Sequence, residues 1–344
     1  MADLGQPAAV DGLNRSDPRA PGLTRGLADG GFAYFDSNGS RIGDPQVLGR
    51  IRGLAIPPAW THVWISPDPM GHIQATGIDS RGRLQYRYHA LWREQRDAQK
   101  FDHMLRFSAA LPVLRAATLQ DVRRRELGRD RVAASVVRLI DLGLFRVGGE
   151  RYAELDHHYG AVTLEKRHVS VHRDGLEFDY IGKEGKRRAI TLTDRAVLPT
   201  VRALAHSDNG LEALFSFQDP GSGSWHPLHS HDVGAYIAGN SGGHFTAKEF
   251  RTWNATVLMA LLLANAGVPG SERAARTAVT GAVRSVASWL GDTPAVTRSA
   301  YIDPRLIRSY QSGRSFAPIP LQPAALPVGD AAEGAIAAFL ADEA

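Results

Sequence analysis

The hydrophobic pattern of the chain changes its period at about Glu94, and this change restricts the fold to one with two unlike parts. Before Glu94, short aromatic runs alternate with turn residues. They predict strands at Phe32–Phe35, Val63–Ile65, His72–Thr76 and Leu84–Tyr88. After Glu94, apolar residues recur at intervals of three and four, which is typical of helices. The length of 344 residues agrees with two domains, because single cores seldom grow beyond ~250–300 residues.

The helical part contains one group of strand-like segments. Val169–Val171, Leu176–Ile181 and Ala189–Thr193 are separated by tight turns and predict a three-stranded meander. The expected fold class is therefore α+β, with a small β-rich N-terminal domain and a larger, mainly α-helical domain that carries the meander. The predicted divisions are a flexible arm over 1–27, the β-rich domain over 28–95, the helical domain over 96–316, and a Pro/Ala-rich acidic tail over 317–344 with a short helix at Asp330–Leu340.

Composition excludes several classes of protein. The chain has no cysteine, which excludes a disulfide scaffold, a thiolate zinc site, an iron–sulfur cluster and a cysteine nucleophile. The longest apolar run, Ala255–Ala264, is too short to cross a bilayer, which takes ~20 residues. The N-terminal residues lack the basic start and apolar core of a signal peptide. We therefore expect a cytoplasmic protein without a membrane segment.

A metal site is suggested by one cluster of histidines around residue 229. Its members are His226, His229, His231 and Asp232. Pro227 interrupts this segment, and the residues from Ser230 to Asp232 fit a helix cap better than a set of ligands. We expect no metal site and no cofactor.

Positive charge is concentrated in one stretch of the chain. Arg81–Arg131 holds thirteen basic and six acidic residues, whereas Ala317–Ala344 holds four acidic residues and no basic one. A basic stripe of this kind is typical of proteins that bind polyphosphates. A solvated helical face would explain the same charge.

Four local patterns place polar residues suited to phosphate chemistry. Arg146 follows a predicted helix, and Lys183 lies at a predicted hairpin tip. Lys248 and Arg251 share one helical face, and Tyr301 stands just before a proline break. Each has a structural explanation when taken alone: a helix dipole partner, a solvated turn lysine or a core tyrosine.

Taken together, these residues suit phosphodiester transesterification. The reaction needs an oxygen nucleophile, cations on the non-bridging oxygens and a proton donor for the leaving alkoxide. Tyr301 supplies the first, and the planar guanidinium groups of Arg146 and Arg251 supply the second. Lys183 on its hairpin is suited to protonating the 5′-oxygen. The scheme requires no metal.

The chain also resembles a known family. Ile56–Trp60, His72–Gly77, Gly82–His89 and Trp92–Glu94 resemble the N-terminal domain of type IB DNA topoisomerases of the poxvirus and bacterial branch. The four patterns above resemble the catalytic domain of that family, so that the resemblance covers about Phe32–Tyr310. It implies relaxation of supercoiled duplex DNA through a 3′-phosphotyrosyl intermediate, strand swivelling and religation, without ATP or metal.

The resemblance also implies roles for individual residues. Arg146, Lys183 and Arg251 match the basic catalytic residues of the family, and Tyr301 matches the nucleophile. Lys248 matches a family lysine one turn before the second arginine. The implied DNA contacts are Tyr152 near the phosphate and, in the region that touches the major groove, Arg83, Gln85, Tyr86 and Tyr88.

One position departs from the family pattern. Asp292 stands nine residues before Tyr301, where the family has a His or Asn that donates a hydrogen bond to the phosphate. An ionised carboxylate cannot donate. Three explanations are open. Asp292 is protonated in the complex, or Asn254 replaces it as the donor. In the third, Asp292 caps the following helix and the fifth catalytic position is weak. We favour the third explanation.

Two other functions remain open. A tyrosine recombinase shares the Arg, Lys, Arg and Tyr chemistry, but it normally has a His where this chain has Lys248. A non-catalytic DNA-binding relative would keep the fold, and Asp292 gives that alternative some weight. For the topoisomerase we expect a monomer in the cytoplasm, on nucleoid DNA, with its two domains closing around double-stranded DNA.

Overall fold

The N-terminal strands form one antiparallel sheet in the order β2-β1-β3-β4-β5. The computed structural model describes residues 12–28, 30–314 and 329–343. The strands are β1 (Leu23–Ala28), β2 (Gly31–Phe35), β3 (Thr61–Ile65), β4 (Ile73–Ile78) and β5 (Leu84–Tyr88). The predicted strands are thus all present, and the α+β fold class is confirmed.

One helix covers the core of this sheet. Helix α1 (Pro45–Gly53) begins at Asp44, whose carboxylate accepts hydrogen bonds from the first free N–H groups, and proline occupies the first helical position. Ile51 of α1 is buried against Val63, Ile65 and Ala75 of the sheet. This small core holds the N-terminal unit together through apolar burial.

Strand β1 corrects one boundary. The flexible arm predicted over 1–27 includes residues that pair with β2 and β3. The Pro/Gly-rich composition of the arm hid this strand, but Arg25 fixes it, because its guanidinium donates to the carbonyls of Pro57 and Trp60. Residues 1–11 of the predicted arm lie outside the described residues.

The remaining elements are mostly helices, and the chain divides into two compact units between Asp102 and His103. The helices are α2 (Ala90–Asp121), α3 (Arg129–Gly143), α4 (Glu150–Asp156), α5 (Leu198–Ala205), α6 (Ser230–Ser241), α7 (Ala247–Ala266), α8 (Glu272–Leu290), α9 (Pro294–Ala300), α10 (Pro304–Gln311) and α11 (Asp330–Asp342). The strands are β6 (Val169–Val171), β7 (Leu176–Ile181), β8 (Arg187–Leu192), β9 (Ser216–Gln218) and β10 (Trp225–Pro227). The unit division falls within α2, seven residues beyond the predicted boundary.

Helix α7 is the centre of the second unit. It carries the longest apolar run and is buried on nearly all sides, as expected for a helix that is apolar all round. Helices α3, α6, α8, α10 and α11 pack against it. In the described part of the chain, no helix is both long and apolar enough to span a membrane.

Two local features differ from the sequence prediction. The strands β6, β7 and β8 form the predicted meander, but β9 and β10 form a hairpin around Asp219–Ser224 within a region predicted as helical. These strands have three residues each, too few to show an alternating pattern. The predicted tail contains α11, which packs on α7, while Pro318–Pro327 lies outside the described residues.

Candidate active site

The guanidinium groups of Arg146 and Arg251 converge on the carboxylate of Asp292. Nη2 of Arg146 lies 2.8 and 2.7 Å from the two carboxylate oxygens, and Nη2 of Arg251 lies 2.9 Å from one of them. Asp292 is almost completely buried at its side chain, with 8% exposed. The two arginines, which are 105 positions apart in the sequence, therefore surround one anionic group.

Arg146 is placed by the end of α3. Leu144 ends that helix in the left-handed region at a φ of 55°, and the chain then turns so that the backbone of Arg146 bonds with Ala161. Phe145 between them is fully buried. Because the neighbours of Arg146 are fixed in this way, its side chain reaches Asp292 from a rigid segment.

Arg251 is held inside the protein by α7. Only 3% of the residue is exposed, and its guanidinium donates to the carbonyls of Leu144 and Leu290 as well as to Asp292. Burial lowers its pKa and the charge of Arg146 adds to this effect, while Tyr301 and Asp292 act in the opposite direction. Nε of Arg251 is buried without a hydrogen-bond partner among the described residues, so this cation is not fully satisfied.

Tyr301 lies beside Arg251. It ends α9, and its ring centroid is 5.1 Å from the guanidinium carbon of Arg251. The hydroxyl of Thr256, on α7, donates to the carbonyl of Tyr301 at 3.1 Å. The ring is partly exposed. The structure therefore brings together four of the predicted catalytic residues: Arg146, Arg251, Asp292 and Tyr301.

Asp292 does not cap α9, contrary to the explanation favoured from the sequence. Thr293 is the N-cap, and its hydroxyl accepts the N–H of Val296. The carboxylate of Asp292 instead turns towards the two arginines, since one buried and one half-buried cation attract it more strongly than one helix terminus.

The two predicted lysines are placed differently. Lys183 lies in the turn between β7 and β8, and Lys248 lies in the first turn of α7. Both are exposed, and no carboxylate in the described part of the protein forms an ion pair with either. Neither contacts Asp292, so both cations are free to meet an external anion.

Asn254 cannot be the substitute donor or the DNA contact that the sequence suggested. The residue is completely buried, and its amide nitrogen donates to the carbonyl and carboxylate of Asp141. Its position on the inner side of α7, three residues beyond Arg251, explains this burial. The prediction for Asn254 is wrong.

The predicted DNA contacts of the N-terminal unit lie on β5. The rings of Tyr86 and Tyr88 share one exposed face, and their centroids are 5.8 Å apart. Arg83 and Gln85 both bond with Asp79, and the Arg83 guanidinium and backbone N–H groups lower the pKa of Asp79 to about 2. The two tyrosines thus present a partly exposed aromatic surface, in which Tyr88 also stacks on Trp92, whereas Arg83 already has an anionic partner.

Tyr152 lies on α4, and its side chain is outside the described part of the structure.

The histidine cluster beside α4 and α6 is explained by local pairs. His229 lies 3.1 Å from Glu150, and Asp232 in the first turn of α6 accepts the backbone N–H of His229, the N-cap residue of that helix. Over 12–28, 30–314 and 329–343, no three His, Asp or Glu side chains are grouped to hold a metal ion.

Two residues near Arg146 and Arg251 were not identified as candidates from the sequence. The buried ring of Tyr180 on β7 stacks on Phe145 with centroids 5.9 Å apart. Arg188 of β8 pairs with Tyr180 across the strands and donates to the carbonyl of Trp289. Both look like ordinary sheet residues in the sequence, since only the folded chain shows that β8 meets the end of α8.

Comparisons with known proteins identify relatives of both units. The family described as eukaryotic DNA topoisomerase I, catalytic core, matches residues 89–312, and the family described as bacterial DNA topoisomerase IB, N-terminal domain, matches residues 31–79. DNA topoisomerase 1B of Acanthamoeba polyphaga mimivirus is 30% identical over 289 residues, which cover 83% of this chain and 85% of the viral protein. DNA topoisomerase 1 of Mycosarcoma maydis is 24% identical over 200 residues, which cover 52% of this chain and 19% of the fungal protein.

Proposed function

Because the chain belongs to the type IB DNA topoisomerase family, we propose that it relaxes supercoiled duplex DNA by cutting and resealing one strand through Tyr301. The observation that carries this proposal is the convergence of Arg146 and Arg251 on one carboxylate, with the Tyr301 ring beside Arg251. A pocket that holds a carboxylate between two guanidinium groups suits a phosphodiester, because both anions offer oxygens to the same planar donors.

The cleavage step uses these side chains in distinct roles. The Tyr301 oxygen, after losing its proton to solvent, forms a bond to phosphorus while the bond from phosphorus to the 5′-oxygen breaks. Arg146 and Arg251 hold the non-bridging oxygens and stabilise the charge that develops there. Lys183 gives its proton to the departing 5′-oxygen. The products are a 3′-phosphotyrosyl link and a free 5′-hydroxyl.

Religation reverses the same steps. The 5′-hydroxyl returns its proton to Lys183 and attacks phosphorus, and Tyr301 leaves as a phenolate, which is a good leaving group because the free pKa of tyrosine is about 10. One phosphodiester replaces another, so the cycle consumes no ATP. Between the two steps the cut strand swivels around the intact one and releases supercoils.

DNA contacts outside the phosphate pocket come from exposed residues. Lys248 at the start of α7 is free to bind a backbone phosphate, and Tyr86 and Tyr88 offer ring faces to the DNA. Arg83 and Gln85 contribute once DNA competes with Asp79 for them. We infer a monomer that acts in the cytoplasm on nucleoid DNA, since one pocket serves one strand.

Asp292 must change its interactions when DNA binds. A phosphate that enters the pocket either displaces the carboxylate or binds next to its protonated form, because two anions at one site repel each other. This residue also gives weight to a second candidate, a DNA-binding relative without catalytic activity. A tyrosine recombinase is disfavoured by the match of residues 31–79 to a topoisomerase domain.

A plasmid assay tests the proposal and separates these candidates. Supercoiled plasmid is incubated with the protein in EDTA without ATP. We expect stepwise relaxation by the wild type, whereas Tyr301→Phe binds DNA and leaves it supercoiled. A gel shift without relaxation by the wild type would favour the non-catalytic relative, and strand exchange between paired sites would favour a recombinase. Residual relaxation by Tyr301→Phe would show that another residue is the nucleophile.

A sulfur-substituted substrate tests the role of Lys183. A thiolate leaves without protonation more readily than an alkoxide, so DNA with sulfur in place of the scissile 5′-oxygen bypasses the general acid. Lys183→Ala should cleave the oxygen substrate about 10²-fold or more slowly and the sulfur substrate at nearly the wild-type rate. Equal slowing on both substrates would exclude Lys183 as the acid.

A further inference from the structure

Arg188 connects the hairpin that carries Lys183 with the turn that carries Asp292. Its Nη2 donates to the carbonyl of Trp289 at 2.8 Å. Trp289 belongs to the last turn of α8, three residues before Asp292. The only other residues between them are Leu290, whose carbonyl is held by Arg251, and Gly291. Arg188 thus bonds to the segment that leads into Asp292. Asp292 in turn contacts both Arg146 and Arg251.

Two glycines make room for the Arg188 side chain. A Cβ atom on Gly291 would lie 2.3 Å from Nη1 of Arg188, and a Cβ on Gly182 would lie 3.2 Å from its Cγ. Gly291 also has a φ of 65°, which favours glycine. The stem of Arg188 therefore passes over the residue that precedes Lys183, while its guanidinium covers the residue that precedes Asp292.

The packing around Arg188 extends this connection to Arg146. Tyr180 is its cross-strand partner and stacks on Phe145, the residue before Arg146. The Tyr180 hydroxyl is close enough to the positive charges of Arg188, Arg251 and Arg146 that they lower its pKa, against the larger raising effect of burial. One continuous set of contacts therefore runs from the Lys183 hairpin to the pocket.

We propose that Arg188 is a positioning residue that fixes the Lys183 hairpin against the turn between α8 and α9, so that the Lys183 ammonium meets the leaving 5′-oxygen. The proposal rests on the proposed function, in which Lys183 is the general acid. Lys183 itself is exposed and without an ion pair in the described chain, so its position depends on the base of the hairpin. Arg188 is the residue there that joins the hairpin to the pocket.

The test compares oxygen and sulfur substrates in single-turnover cleavage. Arg188→Met keeps the stem over Gly182 but removes the hydrogen bond to Trp289. We expect it to slow cleavage of the oxygen substrate at least about 10-fold, to slow the sulfur substrate less than about 3-fold, and to change the Kd for DNA less than about 3-fold. Arg187→Met is the matched control, because Arg187 lies next to Arg188, points to the opposite face and pairs with Asp179.

Every result decides the proposal. Equal slowing on both substrates, or no slowing at all, would overturn it, since a general disturbance or a direct phosphate contact is not relieved by sulfur. Arg188→Lys, which keeps the stem and the charge but loses the forked donors, should show the same contrast and replaces Arg188→Met if that variant does not fold. One pattern of results would reject only the positioning proposal. In that pattern the wild type cleaves DNA, and the sulfur substrate restores the cleavage rate of Lys183→Ala but not that of Arg188→Met. If the wild type does not cleave, the proposed function fails.

Discussion

Asp292 places a negative charge of the protein itself between Arg146 and Arg251, at the position where we propose that the DNA phosphate binds. Its carboxylate accepts hydrogen bonds from Arg146 and Arg251, the two groups that we propose to hold the phosphate. The interaction neutralises part of the positive charge and occupies donors that the transition state requires. In the proposed mechanism, Asp292 therefore competes with the DNA phosphate for the same guanidinium groups.

Replacing Asp292 by asparagine should make cleavage faster. Asp292→Asn removes the competing charge and adds an N–H donor at the position where the resemblance to the family implies a His or Asn. One such donor is worth about 10²–10³ in rate, so we expect a gain of at least about 10-fold in single-turnover cleavage. Asp179→Asn, which removes an exposed carboxylate paired with Arg187, is the control for charge alone. An unchanged or slower rate for Asp292→Asn, with the control also unchanged, would contradict this account.

At the scale of elements, α11 is joined to helices α2, α3 and α7 by one buried polar network. Glu333 of α11 accepts hydrogen bonds from Arg115 of α2 and from the indole N–H of Trp253 on α7. Arg115 also binds Asp141 of α3 through two hydrogen bonds. Burial opposes the charge of Arg115, but Asp141 and Glu333 outweigh it and raise its pKa. This network fixes the helix that carries Arg251.

Truncating Glu333 should weaken the second unit. Glu333→Ala leaves the buried indole N–H of Trp253 without its acceptor, and an unsatisfied buried donor costs about 1–3 kcal/mol. We expect a loss of that size in the free energy of unfolding, measured by denaturant titration. Asp342→Ala, at the other end of α11, is the control. Equal losses for both variants would mean that the network does not anchor the helix.

The carboxyl group of Glu333 should also make the stability of the protein depend on pH. Burial raises the pKa of Glu333, while Arg115 and Trp253 act in the opposite direction without cancelling it. A raised pKa in the folded state means that the contribution of Glu333 to stability is complete below its unfolded pKa and is lost as the pH rises through the folded one. The wild type should therefore lose stability relative to Glu333→Gln as the pH rises from the unfolded pKa of a glutamate, about 4.3, through the higher folded pKa. Parallel stability curves for the two proteins would contradict this expectation.

The sequence predicts the elements that a periodic pattern or a motif describes. The strand Leu84–Tyr88 and the meander strands β6 and β7 lie where the alternation places them. The convergence of Arg146, Arg251 and Tyr301 could be expected from the chemistry that these residue types share. The role of Asp292 and the burial of Asn254 could not, because both depend on contacts between residues that are far apart in the sequence: Asp292 with Arg251, and Asn254 with Asp141.

At the scale of the whole molecule, we expect the charge distribution to govern the proposed binding to DNA. Basic residues are concentrated over Arg81–Arg131, and the lysines proposed to meet DNA are exposed. Binding through phosphates releases counterions, so the affinity falls with salt according to the number of contacts. The charge pattern therefore predicts a protein that holds DNA mainly by its backbone.

The affinity for duplex DNA should fall steeply as the salt concentration rises. With about 6–10 phosphate contacts, the association constant drops by about 10³–10⁵ between 50 and 200 mM salt. Lys248→Ala should reduce the slope of log K against log salt by about 1, which corresponds to the loss of one phosphate contact. Fluorescence anisotropy with a short duplex measures both. A shallow slope in the wild type, or the same slope in Lys248→Ala, would contradict the proposed phosphate contacts.

In the proposed mechanism the Tyr301 oxygen becomes bonded to a backbone phosphorus, and the most direct measurement traps that bond. A duplex whose short 5′ fragment dissociates after cleavage prevents religation, and the adduct is then digested and mapped by mass spectrometry. We predict a nucleotide attached through its 3′-phosphate to Tyr301 in the wild type and no adduct in Tyr301→Phe. An adduct on another side chain, or on the 5′ side of the break, would contradict the account.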